Sequence, residues 1–424
     1  MPQTAAVVGA GVAGLTAAWR LAQAGWQVQV VERAPEVGGL LASHKVQGVA
    51  CDLGAHRLHP QATQVAAVRD LAAHVALQPR PRHGQIVLGG RAFGYPLAAT
   101  DLARSLGWRA GLRLAAGFVA APRWQSRSGA DQDVGFAQFV IARAGRAAYE
   151  AFYRPYAEKV WGLDPADLSQ TCAKQRIAAA APWQKLRAAN TEHQFLLPVG
   201  GFSGWISTLH AQAIAAGVSV RTNCVAVPDA DAILYTGHLG QLAGEPACDH
   251  RGLQLVWLRC HGPVLGPTDT WYCPEPQFAF GRVTHVGRFN PDPAAQGLLC
   301  LELPLGQRAT CIDWQPLAKS LEAQLQAAGI VTPQHTTHWV ARRDLPAVYP
   351  VYRKGWQAIW RSAMQRACAN GHTWPAGRQG LWLHCNLDHA MATAEAAVQA
   401  VVAGQTSLAW PQAAQQFLQL RVRD

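Results

Sequence analysis

Ala5-Ala6-Val7-Val8-Gly9-Ala10-Gly11-Val12-Ala13-Gly14 is the stretch whose reading decides the fold. Its apolar start reads as a buried strand of a parallel sheet. After the glycines, Leu15, Ala18, Trp19 and Ala22 recur at helical spacing, and Gly25 marks a stop. A second apolar run, Val28 to Val31, ends in Glu32, eighteen residues beyond Gly14. A GxGxxG motif needs this strand–turn–helix–strand setting before it carries meaning. Gly9 permits the tight turn, Gly11 lets backbone amides approach a pyrophosphate, and Gly14 lets the helix pack on the strand. The helix start around Val12 and Ala13 offers free N–H groups to phosphates. Glu32 stands where a carboxylate accepts hydrogen bonds from a ribose. The alternative is a glycine-rich turn without a ligand; the full setting favours a bound dinucleotide.

Arg33 follows Glu32, and Gly38-Gly39-Leu40 comes six residues on. Nicotinamide-binding domains have no general need of this second glycine pair. The segment resembles the FAD-dependent amine oxidase and protoporphyrinogen oxidase superfamily. In that superfamily an Arg and a Gly-Gly extend the FAD cradle. The run Asp52-Leu53-Gly54-Ala55-His56-Arg57-Leu58-His59-Pro60 resembles the loop that passes the isoalloxazine there, and more narrowly in the UDP-galactopyranose mutase-like branch. The resemblance implies FAD as cofactor, with Gly54, Ala55, His56 and Arg57 at the ring. It also implies an α/β fold, in which a Rossmann-like FAD-binding domain of the GR2 type is interleaved with a mixed α+β substrate domain that has a helical part. The expected partition is 1–75, 195–245 and 353–410 for the cofactor domain, 76–194 for a helical cap and substrate part, and 246–352 for the substrate sheet.

Composition agrees with such an enzyme. The chain has 424 residues, 50% of them apolar and only 15% charged, enough for sizeable cores. Its net charge of +11 suits an anionic cofactor and admits an anionic substrate. The charge is scattered Arg without a long basic block, so no nucleic-acid partner is expected. Ten cysteines without a CxxC argue against a metal site or a disulfide framework, and for reduced thiols in a cytoplasmic compartment. The opening strand reads as fold and not as a signal peptide. No window approaches a transmembrane span.

Farther along, residues 61–80 read as a short helix. Ile86–Leu88 and Arg91–Phe93 read as a hairpin about Gly89-Gly90. Asp101 to Trp124 has a basic, helical pattern broken by glycines. A cap over the active site is the first reading there, and peripheral membrane contact is the minor alternative. Within the helix-rich stretch 136–187, Tyr156, Lys159, Trp161-Gly162 and Asp164-Pro165 resemble a helix-to-loop segment of the mutases, which implies that Tyr156 and Trp161 wall the substrate cleft. Ordinary core is their alternative reading. Pro198-Val199-Gly200-Gly201-Phe202 opens an amphipathic helix through Ile214, closed by Gly217. Val225 follows a short strand at a place that, by resemblance, contacts the adenine side.

Residues 246–350 alternate in short runs that read as the substrate sheet. Arg251 and Arg282 resemble mutase-branch arginines, with Arg282 the better candidate to meet a substrate anion. Tyr349 precedes a helix back to the cofactor domain. The closing segment Gly377-Arg378 to Asp388 and Met391 resembles the motif that completes the FAD site. A short strand is expected to end near His384, with Asp388 capping the next helix. Trp382 and His384 fall where the mutases use two tyrosines against the substrate diphosphate. An indole cannot reproduce a phenol hydroxyl, so this departure weighs against sugar-nucleotide recognition.

The first functional expectation is therefore an FAD-dependent oxidoreductase taking a hydride from a small molecule onto flavin N5, with His56 as a candidate proton carrier. A non-redox sugar-nucleotide mutase using reduced FAD is second. A scaffold that has lost catalysis is third, and the intact glycine set argues against it.

Overall fold

The computed structural model of the protein describes residues 3–95, 133–176, 194–305 and 314–422. The helical expectation for 101–124 lies outside the described residues, as does the end of the helix-rich stretch from 177 on. Two sheets organise the rest. The first has five parallel strands in the order Thr373–Pro375, Ala232–Tyr235, Thr4–Val8, Gln27–Val31 and Ser219–Arg221. Parallel strands are covered on both faces, which is why Ala6, Val7, Val30 and Leu234 are fully buried. Each such Val or Leu contributes about 1.5–3 kcal/mol by leaving water. Helix Val12–Gln23 follows the first strand and packs against helices Gly201–Ala215 and Leu387–Val402. Strands drawn from opposite ends of the chain meet in one sheet, so this half of the molecule is discontinuous in sequence.

The second sheet has seven strands in the order Thr336–Pro350, His250–His261, Leu298–Pro304, Arg282–His285, Thr270–Tyr272, Gly84–Leu88 and Arg91–Gly94. All its neighbours are antiparallel except Thr270–Tyr272 with Gly84–Leu88. Side chains alternate between its faces. Val283, Leu299 and Leu301 join one core, whereas Cys300 joins another that includes Cys51 and Leu53. Arg282 pairs with Glu302, and Thr284 with Cys300, across adjacent strands. These two rungs put three polar side chains, Arg282, Glu302 and Thr284, on one face beside Cys300.

Some expectations change. Residues 61–80 are not one helix. A 3-10 turn, Pro60–Gln64, leads to helix Ala66–Ala72, and strand Leu77–Pro81 then pairs with Gln194–Pro198. Pro79 and Pro81 cannot donate to a helix, and a two-stranded ribbon tolerates them. The hairpin expected about Gly89-Gly90 forms as Gly84–Gly94 at an edge of the seven-stranded sheet. No strand ends near His384: the last strand of the first sheet is Thr373–Pro375, followed by a helical turn, Gly377–Gly380. Gly377, at φ +76°, turns the chain there before another strand can form. Among the described residues no helix is long and apolar enough to cross a membrane. The nine described cysteines are free, and all but Cys224 are buried.

Candidate active site

At the end of the first strand, Gly9 has φ +100°, and its amide donates to Val31 O at 2.8 Å. A Cβ on Gly14 would lie 1.8 Å from Gly9 O, so only glycine lets the helix start this close to the strand. Helix Val12–Gln23 has no side-chain cap and no acidic residue in its first turn. Its free N–H groups and positive dipole end are thus left for an anion. The second glycine pair lies against the first: Gly38 N donates to Ala10 O at 2.8 Å, and a Cβ on Gly39 would reach 3.3 Å from Gly11 Cα. Two backbone turns without side chains form one wall.

Glu32 is buried at the end of the second strand and accepts from Ala10 N at 2.7 Å and Ala34 N at 2.8 Å. A carboxylate has about four lone-pair positions, so acceptor capacity remains for ribose hydroxyls. Arg33 is exposed beside Tyr235 and His238. The loop carrying Val225, which is 80% exposed, is anchored by Cys224 N to Glu32 O and Asn223 N to Ala34 O.

The loop after Asp52 crosses to the second sheet. Gly54 has φ +99°, and a Cβ there would meet Glu302 Oε1 at 2.8 Å. Ala55 and His56 are half-buried. The His56 ring meets Phe202 edge-on at 5.7 Å, close to Leu40, and its buried Nε2 has no partner among the described residues. Burial first, then the charges of Arg282 and Arg378, push its pKa down to about 4, so the ring is neutral near pH 7. Arg57 bonds Asp269 and Thr270.

The closing segment packs on this cradle from the other side. A Cβ on Gly377 would meet Ala13 Cβ at 2.5 Å, and Gly377 N donates to Thr393 Oγ1. Arg378 donates through Nε and Nη2 to Val348 O and through Nη1 to Cys385 O, with its guanidinium 5.7 Å from the Tyr349 ring. Asp388 does not cap its helix. Asn386 is the cap, in a reciprocal box with His389, because the helix begins at Leu387. Asp388 is buried in the first turn, where its carboxylate favours the dipole. Met391 is fully buried.

The second-sheet face beyond Gly54 holds a pocket. Tyr156, Val160, Tyr272 and Tyr349 surround Arg282 and Glu302. Arg282 Nε and Nη2 both contact Glu302 Oε1, at 2.7 and 2.6 Å, and the carboxylate side chain is 4% exposed. Burial opposes the guanidinium's charge, but Glu302, with Tyr349 and Tyr272, holds its pKa well above the ordinary value. His384 stacks on Tyr349 at 5.5 Å. Trp161 packs edge-on to Phe136 and does not line the pocket. Trp382 is 1% exposed, and its Nε1 donates to Asp249 O at 2.8 Å. Arg251 lies against Gly162. Glu302 and Tyr272 were not singled out in the sequence; a lone acid in the apolar run Leu298–Leu303 was the available signal for Glu302.

Residues 12–227 match the family model described as flavin containing amine oxidoreductase. The chain belongs to that family. A putative flavin-containing monoamine oxidase, AofH, of Mycobacterium tuberculosis is 28% identical over 229 residues, 51% of this chain and 48% of that relative. The chain thus spans about half the length of the curated relatives it matches. Reduced UDP-galactopyranose mutase is similar in fold over 98% of this chain and 99% of that one, with TM-score 0.82 and 18% identity. A putative protoporphyrinogen oxidase from Exiguobacterium sp. 255-15 covers 96% of this chain, and this chain covers all of that one, with TM-score 0.72 and 14% identity. FAD is the cofactor of this family member. The uncapped helix start, the glycine wall and the acceptor capacity of Glu32 fit a dinucleotide's diphosphate and ribose.

Proposed function

We propose that the chain is an FAD-dependent oxidoreductase that oxidises a small, largely apolar or aromatic molecule in the tyrosine-lined pocket. Bound FAD supplies the hydride acceptor. Gly9, Gly11 and the free amides of helix Val12–Gln23 hold its diphosphate, and Glu32 takes a ribose. Gly54, Ala55 and His56 carry the ring end, with Leu40, Gly377, Arg378 and Asp388 beside them. Neutral His56 bonds the Leu40 backbone through its other ring nitrogen, which leaves Nε2 to accept one hydrogen bond there. Tyr156, Tyr272 and Tyr349 orient the substrate and exclude water.

The observation that carries this reading is the Arg282–Glu302 pair. The arginine expected to meet a substrate anion is already neutralised by a buried carboxylate. Trp382 has spent its single donor on a backbone carbonyl, and Arg378 contacts carbonyls with three of its nitrogens. A diphosphate would meet few uncommitted donors. The chain-long similarity to UDP-galactopyranose mutase supports the second reading, a non-redox mutase. Dithionite-reduced holoenzyme incubated with UDP-galactopyranose separates the two. We expect no UDP-galactofuranose; its formation would replace the first reading by the second.

A further inference from the structure

Arg57 lies on the Asp52–Pro60 loop, but its guanidinium is committed to the second sheet. Nη2 donates to Asp269 Oδ1 at 2.8 Å and to Thr270 Oγ1 at 2.7 Å. The guanidinium carbon lies 5.3 Å from the Phe195 ring and 5.1 Å from the Phe289 ring, and those rings stack on each other at 5.8 Å. Asp269 is buried, at 5% side-chain exposure, and Arg57 is partly buried, at 12%. Such a pair is costly to desolvate and does little for net stability against an apolar replacement, though losing one partner alone is severe. Its geometry, however, is fixed by one nitrogen, Nη2, that bridges Asp269 and Thr270, and by two aromatic faces under the planar guanidinium.

Asp269 is itself a knot. Its Oδ2 accepts from His83 N, its amide donates to His83 O, and its carbonyl accepts from His285 N. It therefore ties together the starts of strands Gly84–Leu88 and Thr270–Tyr272 and the end of Arg282–His285. Tyr272, two residues beyond Thr270, stands opposite Arg282 and lines the pocket. At the other end of the same loop, Gly54 lies against Glu302.

We propose that Arg57 is a positioning residue that latches the cofactor-side loop to the substrate sheet through Asp269. It thereby sets how Gly54 and His56 stand relative to Tyr272 and the Arg282–Glu302 pair. The inference rests on the proposed reading that this loop carries the ring end of FAD. It predicts a division of effects. The diphosphate and ribose sites do not touch Arg57, so FAD stays bound when the latch is cut, whereas the ring's surroundings change.

The test is visible circular dichroism of the flavin in holoprotein, with FAD affinity and thermal midpoint measured alongside. R57M leaves Asp269 buried and unpaired, so we expect a lowered midpoint and flavin bands shifted toward those of free FAD. The double variant R57M/D269N removes both charges and keeps the apolar stem between the phenyl rings. We expect it to recover most of the midpoint and to bind FAD within about tenfold of wild type, or 1.4 kcal/mol. Its flavin bands should stay displaced. R57K keeps the charge without the planar group that lies against both phenyl rings and should not restore them. Wild-type bands in the double variant would overturn the latch and leave a purely structural pair. Wild-type protein that binds FAD but shows only free-flavin dichroism would instead overturn the placement of the ring at this loop.

Discussion

Glu302 is the single side chain that most changes what the pocket can bind, because it holds Arg282 through two contacts to one oxygen. E302Q removes the countercharge and leaves the guanidinium to seek another anion. We expect inorganic phosphate or UDP, measured by calorimetry on the holoprotein, to bind this variant and not wild type. Unpairing a buried ion costs about 3–5 kcal/mol, so the thermal midpoint should fall as well. Glu32 offers a second test at this scale. In E32A its two backbone amides lose their acceptor. The ribose also loses its hydrogen bond to a charged acceptor, worth about 1.5–3 kcal/mol, so FAD affinity should fall roughly tenfold to a hundredfold in equilibrium dialysis. Glu32 was readable from sequence because a fixed strand–helix–strand spacing delivers it to the site. Glu302 was not, because its meaning comes from Arg282, twenty residues away and on a neighbouring strand.

Among the elements, helix Val12–Gln23 has the least freedom. G14A would place a methyl carbon 1.8 Å from Gly9 O, forcing the helix start off the strand. Overpacking costs about 1–3 kcal/mol, and FAD binding should weaken in the same variant because the N–H groups move with the helix. Dialysis and a thermal melt read both. Helix Arg154–Trp161 is held differently. Lys159 Nζ donates to Cys273 O at 2.7 Å and Phe280 O at 3.3 Å, and also to Glu275 O. K159M strips these bonds from the loop preceding Arg282, and we expect a lower thermal midpoint by circular dichroism. The first helix was legible because its glycines are demanded by local backbone geometry. Lys159 was quoted only as part of a resemblance, and its role depends on carbonyls more than a hundred residues away. The misread end of the chain has a similar cause: Asp388 is a good cap residue, but Asn386 is another, and the place where the helix begins decides between them.

For the whole molecule, buried titratable groups set a pH response. Burial pushes His56 and His285 down to about 4 and His250 down to about 3, with nearby positive charges adding. Their folded pKa values lie below the unfolded one, so the unfolded chain binds more protons once pH drops under about 6.5. Stability is therefore lost as pH falls from there toward 4, at roughly 1.4 kcal/mol per unit for each group. Asp52 acts in the opposite sense. Burial raises it to about 7 against the bonds from Ser43 and Phe202, so it favours folding as pH falls from 7 to its ordinary range. Three histidines outweigh one carboxyl, and urea midpoints should fall on acidification. H285F should flatten that slope, since neither ring nitrogen of His285 has a partner among the described residues. The two-part architecture was legible because the glycine-rich turn, the Gly-Gly pair and the closing segment each carry local signals. The pocket was legible only in part: Tyr156, Arg282 and Tyr349 were named, but the pairing that governs its charge appears only when two strands are laid side by side.

The central claim, that the flavin serves to oxidise a small molecule, is tested most directly by mixing oxidised holoenzyme anaerobically with small aromatic and aliphatic amines and alcohols while following the flavin's visible absorbance. The account predicts that one of these donors bleaches the flavin and that admitting air or an added acceptor restores the colour. A flavin that no donor reduces, in protein that interconverts UDP-galactopyranose and UDP-galactofuranose once dithionite has reduced it, would contradict the account.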